Sequence, residues 1–226
     1  MQNKKKLAIF DFCETLVNFQ TADNFIHFVR EKKDSNSMEI KEFLRKSLNK
    51  AKIIRALEIA GIKSLNKKIV LWQLRGIGKK ELEKYSKEYY NKKIKPSFVK
   101  DIISKMEELK SEGYKVYVAS GGYEIYLKHF IKEFKLNGLV CTKILFREKK
   151  CLGRFNGLDC LGKNKIKLLN NLFVNKKIKE YDSISYSDSI TDLPLLKSTN
   201  KGIIVSKNKP ANWGKKYGLG DLIWAS

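Results

Sequence analysis

Two textures alternate along the chain. Lys6 to Phe12 (KLAIFDF) is a short apolar run ending in an acid, the pattern of a strand buried on both faces of a parallel sheet. From about residue 18 to residue 95 the texture changes to Lys, Glu, Leu and Ile with few breakers. The first 112 residues hold only Gly61, Gly76 and Gly78, and the first proline is Pro96. Apolar positions recur there at helical spacing: Phe25, Phe28 and Val29, then Ile53, Leu57 and Ala60, then Tyr85, Tyr89 and Tyr90. This predicts a helical insertion with most of the aromatics as its core. Beyond it the α/β texture resumes. Phe98, Ile102, Met106 and Leu109 form a helix face over 97–112, closed by Gly113. A strand is expected over Lys115–Ala119, and helices over Tyr123–Phe134 and Lys163–Phe173. Further strands are expected over Asp182–Tyr186 and Gly202–Val205. Strand–helix alternation predicts an α/β fold with a doubly wound parallel sheet, whose ligands sit beyond the carboxyl ends of the strands. The expected division is a core of residues 1–17 and 96–226 and a helical domain over 18–95.

Composition sharpens this picture modestly. With 226 residues, 42% of them hydrophobic, the chain can bury a core in one domain with an insertion or in two modest domains. Aromatics at 11% argue against disorder. No run of about 18 apolar residues suggests a membrane span. Met1–Val17 has a basic head and an apolar run, but Asp11 and Glu14 interrupt it and no small-residue cleavage site follows. A cytoplasmic protein is expected. Cys13, Cys141, Cys151 and Cys160 form no CxxC pair, which disfavours structural zinc and a disulfide framework, and Cys141, Cys151 and Cys160 read as small packing residues. The formal charge of +23 suits a surface that attracts polyanions, or simply a solvated lysine-rich one. Lys is spread along the whole chain and no nucleic-acid module is recognisable, so nucleic acid is not expected as a partner.

Four segments follow predicted strands or open predicted helices: Asp11–Leu16 (DFCETL), Ser120-Gly121-Gly122, Lys165 within CLGKNK, and Ser187–Pro194 (SDSITDLP). Each residue type suits phosphoryl transfer. A carboxylate at a strand end can attack phosphorus. A hydroxyl and backbone N–H groups in a Ser-Gly-Gly turn can cradle phosphate oxygens. A lysine offers a compact charge to the transferring group, and Asp188 and Asp192, four residues apart, can orient Mg²⁺. Singly these signals are weak, since such residues are common in turns and caps. Their order and spacing along one sheet carry the weight.

The set resembles the haloacid dehalogenase superfamily, in the branch containing phosphoserine phosphatase. The resemblance spans nearly the whole chain, including the helical insertion and the stretch Arg154–Gly157 leading to Cys160-Leu161-Gly162. It implies a Rossmann-like core with an inserted helical cap, and a phosphatase working through an aspartyl-phosphate. By resemblance Asp11 is the nucleophile, Ser120 with Gly121 and Gly122 binds phosphate, and Lys165 neutralises it. By resemblance too, Mg²⁺ is held by Asp11, Asp188 and the Cys13 backbone carbonyl, with Asp192 reaching it through water. Two departures stand out. The second Asp of the family's first motif, its acid/base, is Cys13 here, and Glu14 is the nearest substitute carboxylate. The cap Glu that meets a substrate amine is Gln20. Arg30, Arg55 and Arg75 match no expected clamp and read as surface charge, while His27 and His129 read as ordinary helix residues. The expected ligand is a small phosphorylated metabolite. Candidates are an amino-alcohol phosphate such as serinol or ethanolamine phosphate, a phosphoserine-like ester or a sugar phosphate, with cell-surface polysaccharide assembly as a loosely implied setting. Two alternatives stay open at this point: a phosphotransferase, and a catalytically weakened phosphate- or polyanion-binding protein.

Overall fold

The computed structural model describes residues 4–33, 65–173 and 177–225; Ile53, Arg55, Leu57 and Ala60 fall outside them. In chain order the strands are β1 (Lys6–Phe10), β2 (Lys115–Tyr123), β3 (Gly138–Thr142), β4 (Ile144–Arg147), β5 (Lys150–Phe155), β6 (Asp182–Ser187), β7 (Lys201–Lys207) and β8 (Gly220–Trp224). The helices are α1 (Thr21–Lys33), α2 (Leu65–Trp72), α3 (Lys79–Tyr89), α4 (Lys100–Ser111), α5 (Glu124–Glu133), α6 (Lys163–Leu172) and α7 (Leu193–Ser198). Six strands form one sheet in the order β3-β2-β1-β6-β7-β8, every neighbour parallel. Strand β1 lies inside it, and its side chains alternate between two cores. Leu7 and Ile9 join Ala119, Val140, Leu169 and Leu195, while Ala8 and Phe10 join Val116, Val118 and Phe130. That is why the sequence of β1 is continuously apolar rather than alternating.

The expected α/β architecture is present, with informative differences at element ends. Strand β1 stops at Phe10, because Leu16 and Val17 N–H both turn back to the Phe12 carbonyl. Strand β2 runs past Ala119 through the Ser-Gly-Gly segment, with a register shift between Ser120 and Tyr123. Helix α4 starts at Lys100 rather than Ser97, since a π turn over Tyr90–Ile94 and a 3₁₀ turn over Lys95–Ser97 carry the chain past Pro96. Strands β3 and β8 and the β4–β5 hairpin were not expected. The hairpin turn places Glu148 at φ 48° and Lys149 at φ 61°, a conformation usually signalled by Asn-Gly.

The described part of 18–95 is helical, as its texture predicts. The chain leaves and re-enters side by side: Asn18 N–H donates to the Ser97 carbonyl at 3.0 Å and Val99 N–H to the Leu16 carbonyl at 3.0 Å. Helices α1 and α3 pack on α5 through an aromatic cluster. Phe25 lies 5.2 Å from Tyr89 and 5.1 Å from Tyr126, and Tyr89 lies 5.3 Å from Tyr126, centroid to centroid. No helix among the described residues is long and apolar enough to cross a membrane.

Phe25 is fully buried at the centre of this cluster. Phe25→Ala is expected to lower stability by about 3–5 kcal/mol in denaturant unfolding. A loss below about 1 kcal/mol, the range of a surface change, would show that the cluster does not hold the helical layer to the sheet.

Candidate active site

Loops from the carboxyl ends of β1, β2 and β6 meet the start of α6. Asp11 follows β1 directly, and its N–H donates to the Tyr186 carbonyl of β6 at 2.8 Å. Lys165, the third residue of α6, is 1% exposed. Its ammonium donates to Asp11 Oδ1 at 2.8 Å and also bonds Asp192 Oδ2. The Ser187 hydroxyl donates to the same Asp192 oxygen at 2.8 Å. The Thr15 hydroxyl bonds Asp188 Oδ1 at 3.2 Å and accepts the Asp188 N–H at 3.1 Å, tying the first loop to the last.

The electrostatics are unbalanced. Burial lifts the Asp11 carboxyl to about 6; Lys165 opposes the lift and Asp192 adds to it. Burial, then the charges of Asp11 and Glu14, lift Asp188 to about 7. For Lys165 burial alone would favour the neutral form, but Asp11 and Asp192 outweigh it and hold the ammonium charged. Lys165 thus serves Asp11 and Asp192, while Asp188 is held by the Thr15 hydroxyl.

On the β2 side, Ser120 is fully buried and its hydroxyl oxygen accepts the Gly122 N–H at 3.0 Å. Packing requires both glycines. A Cβ on Gly121 would lie 2.6 Å from Leu161, and one on Gly122 would lie 2.7 Å from the Tyr126 hydroxyl.

The substituted positions fall in different places. Cys13 lines the cavity, with its thiol 3.1 Å from the Thr21 hydroxyl, which in turn lies 2.8 Å from the Tyr126 hydroxyl. Burial, then the Asp11 charge, pushes the thiol up to about 11, so it stays protonated at neutral pH. Glu14 occupies the left-handed region at φ 54°, is exposed, and accepts from the Gln20 amide at 2.8 Å. Gln20 lines the cavity; Glu14 is not among the lining residues. Arg30 and Arg75 are not among them either. His129 bonds Ser86 at 3.1 Å in the helical layer, and His27 is exposed on α1.

The resulting cavity, about 310 Å³, gathers Asp11, Gly121, Gly122, Lys165, Asp188 and Asp192 with Cys13 and Gln20. Its far wall is supplied by Asp23 of α1 and by Asn66 and Lys67 of α2. None of these three was marked by the sequence pattern. Lys67 is one of two adjacent lysines in LNKKIVLW, and only its buried partners distinguish it from exposed Lys68.

A doubly wound sheet with a lysine-tethered carboxylate at the end of its inner strand defines an α/β enzyme of the strand-end type. The family model for haloacid dehalogenase-like hydrolases matches residues 8–197, and the chain belongs to that family; it is a hydrolase. Phosphoserine phosphatase of Methanocaldococcus jannaschii is 25% identical over 197 residues, 87% of this chain and 83% of that protein. A Bordetella pertussis Tohama I protein of unknown function is structurally similar with a TM-score of 0.81 at 18% identity, covering 97% of this chain and 99% of that one. A phospho-aspartyl intermediate analogue of phosphoserine phosphatase is similar with a TM-score of 0.61 at 20% identity, covering 98% and 94%.

The residues fit a divalent cation. Asp192 Oδ1 is buried with no hydrogen-bond partner, and the Asp11 and Asp188 carboxyls, lifted chiefly by burial, line the same cavity. Among the described residues no group of three or more His, Cys, Asp and Glu side chains is arranged to hold a metal.

The lifted carboxyls set a pH dependence. Asp11 and Asp188 keep their protons in the fold to about 6 and about 7, after the unfolded chain has released its own near 3.8. Their contribution to stability is complete below 3.8 and is lost as pH rises through the folded values. In chelator, the thermal midpoint is expected to fall between pH 5 and pH 8, and the fall should shrink in Asp188→Asn. An identical fall in the variant would contradict this electrostatic reading.

Proposed function

We propose that this hydrolase is a Mg²⁺-dependent phosphomonoesterase acting on a small phosphorylated metabolite in the cytoplasm through an aspartyl-phosphate on Asp11. The observation that carries the reading is the convergence of Asp11, Lys165, Gly121 and Gly122 on one cavity, with Ser120 buried beside them. The M. jannaschii relative, a phosphoserine phosphatase, supports the same chemistry. The four free cysteines suit a reducing compartment.

In this reading an Asp11 carboxylate oxygen attacks phosphorus, the ester oxygen leaves and takes a proton, and water then cleaves the acyl-phosphate to restore Asp11 and release phosphate. The Lys165 ammonium, already 2.8 Å from Asp11, neutralises the phosphoryl oxygens, and Ser120 with Gly121 and Gly122 orients them. Asp11, Asp188, the Cys13 carbonyl and, through water, Asp192 would hold Mg²⁺, which shields charge on the nucleophile and the phosphoryl group. Helices α1 and α2 act as part of a cap over the cavity, with Gln20 facing the leaving group. Gln20 in place of an acid favours a neutral, hydroxyl-bearing leaving group such as that of a sugar phosphate over one that presents an ammonium.

The acid/base step is the weak point of this site. The Cys13 thiol can donate a proton but makes a poor base while it is held protonated by burial. Glu14 is the remaining carboxylate on the loop, and to serve it must release Gln20. A second reading, in which the phosphoryl group passes to an alcohol acceptor rather than to water, needs the same base and differs in where the phosphate goes.

Phosphate release from a panel of small esters with Mg²⁺ tests the main reading. Asp11→Asn is expected to abolish turnover, and undiminished turnover would sink the mechanism. Cys13→Ala should retain most activity, whereas Cys13→Asp should speed hydrolysis by about 10²-fold by supplying the missing acid/base. Loss of turnover in a folded Cys13→Ala would instead give the thiol a chemical role. If transfer dominates, added glycerol-like acceptors will carry the phosphate.

A further inference from the structure

Helix α2 sends one ammonium into the base of the phosphate-binding turn. Lys67 Nζ donates to the Gly121 carbonyl, to the Thr142 hydroxyl at 3.2 Å and to Asp159 Oδ1. The Lys67 and Asp159 side chains are 13% and 6% exposed. Tyr123 and Phe155 place their rings 5.5 Å from the ammonium. An ammonium has three N–H donors, and here all three are used. Lys67 lines the cavity, yet it has no donor left for a substrate oxygen.

What Lys67 does control is a peptide plane. The Gly121 carbonyl that it holds shares that plane with the Gly122 N–H, which donates to Ser120 Oγ at 3.0 Å. With its oxygen accepting from Gly122, the Ser120 hydroxyl has its hydrogen to donate, and the Cys13 thiol is one partner in reach. The network also reaches the Lys165 loop. The Thr142 hydroxyl donates to Asp159 Oδ1 at 2.7 Å and accepts the Cys160 N–H at 3.1 Å. The Asn164 side chain, one residue before Lys165, donates to the Asp159 carbonyl at 3.1 Å.

We infer that Lys67 is a positioning residue: through Gly121 and Asp159 it orients the Ser120–Gly122 turn toward phosphate and ties helix α2 to the two loops that grip it. The inference rests on the phosphatase reading above and adds to it a residue that never touches substrate. A direct phosphate ligand behaves in the opposite way. If Lys67 bound phosphate, weakening its tie to Asp159 would free it and tighten binding.

The test compares wild type, Lys67→Met, Asp159→Asn and the double variant, using kcat, KM and inhibition by inorganic phosphate. Lys67→Met and Asp159→Asn should each raise KM and the phosphate inhibition constant by about tenfold, with a smaller change in kcat. The double variant should be no worse than Lys67→Met alone, because both changes cut one network. Tighter phosphate binding in Asp159→Asn overturns the inference in favour of direct contact. A lower melting temperature with unchanged KM and phosphate inhibition overturns it in favour of a purely structural pair. If Lys67→Met leaves Asp159 buried and fails to fold, Asp159→Asn and the double variant, which bury no lone carboxylate, carry the test. If wild type turns over no ester, the phosphatase reading fails, and calorimetric phosphate binding by the same variants still decides the role of Lys67.

Discussion

The ion triad of Lys165 with Asp11 and Asp192 is the constraint on which the rest of the site depends. It is buried, and it joins the end of β1, the start of α6 and the loop after β6. Burying an ammonium is costly unless carboxylates surround it, and burying two carboxylates is costly unless cations do. Lys165 meets the first condition for itself but only half meets the second. The deficit shows as a buried Asp192 oxygen with no partner. In the proposed mechanism, that deficit is what a bound cation would offset.

The surrounding packing holds this centre in place. Strand β1 is apolar on both faces, which fixes Asp11 at the first position where the chain can turn polar. The thiol of Cys13 continues into Thr21 and Tyr126, so the loop after β1 is bonded to helix α1 and to the aromatic cluster. Where the family places an acid/base, this chain has a contact that fastens the helical layer to the loop. Lys67 fastens the same layer to the phosphate turn from the other side. Docking of the helices and the geometry of the site are thereby coupled.

Much of this was legible in the sequence because it rests on short-range pattern. Apolar runs ending in Asp11 and Ser120, the glycine pair at 121–122 and the acids of SDSITD all follow from strand ends and turns. The parts that were hidden depend on tertiary partners. The β4–β5 hairpin turns through Glu148 and Lys149 at positive φ, so no Asn-Gly marks it. Strand β8 is an edge, and Gly220–Trp224 is too short and too polar at its start to stand out. Lys67 could not be told from any other of the 47 Lys and Arg residues, since its role comes from Gly121, Thr142 and Asp159, which are 54 to 92 positions away. The seat of Cys13 was visible, but its neutral state and its tie to Thr21 needed the fold.

The central claim is that Asp11 carries the phosphoryl group. The most direct measurement is a rapid acid quench during turnover of a phosphate-labelled ester, followed by mapping of the label. With the acid/base seat held by a protonated thiol, the aspartyl-phosphate should drain slowly and accumulate. The account predicts label on the peptide containing Asp11, and none in Asp11→Asn. Steady release of phosphate with no label on that peptide, or label mapped to another residue, would contradict it.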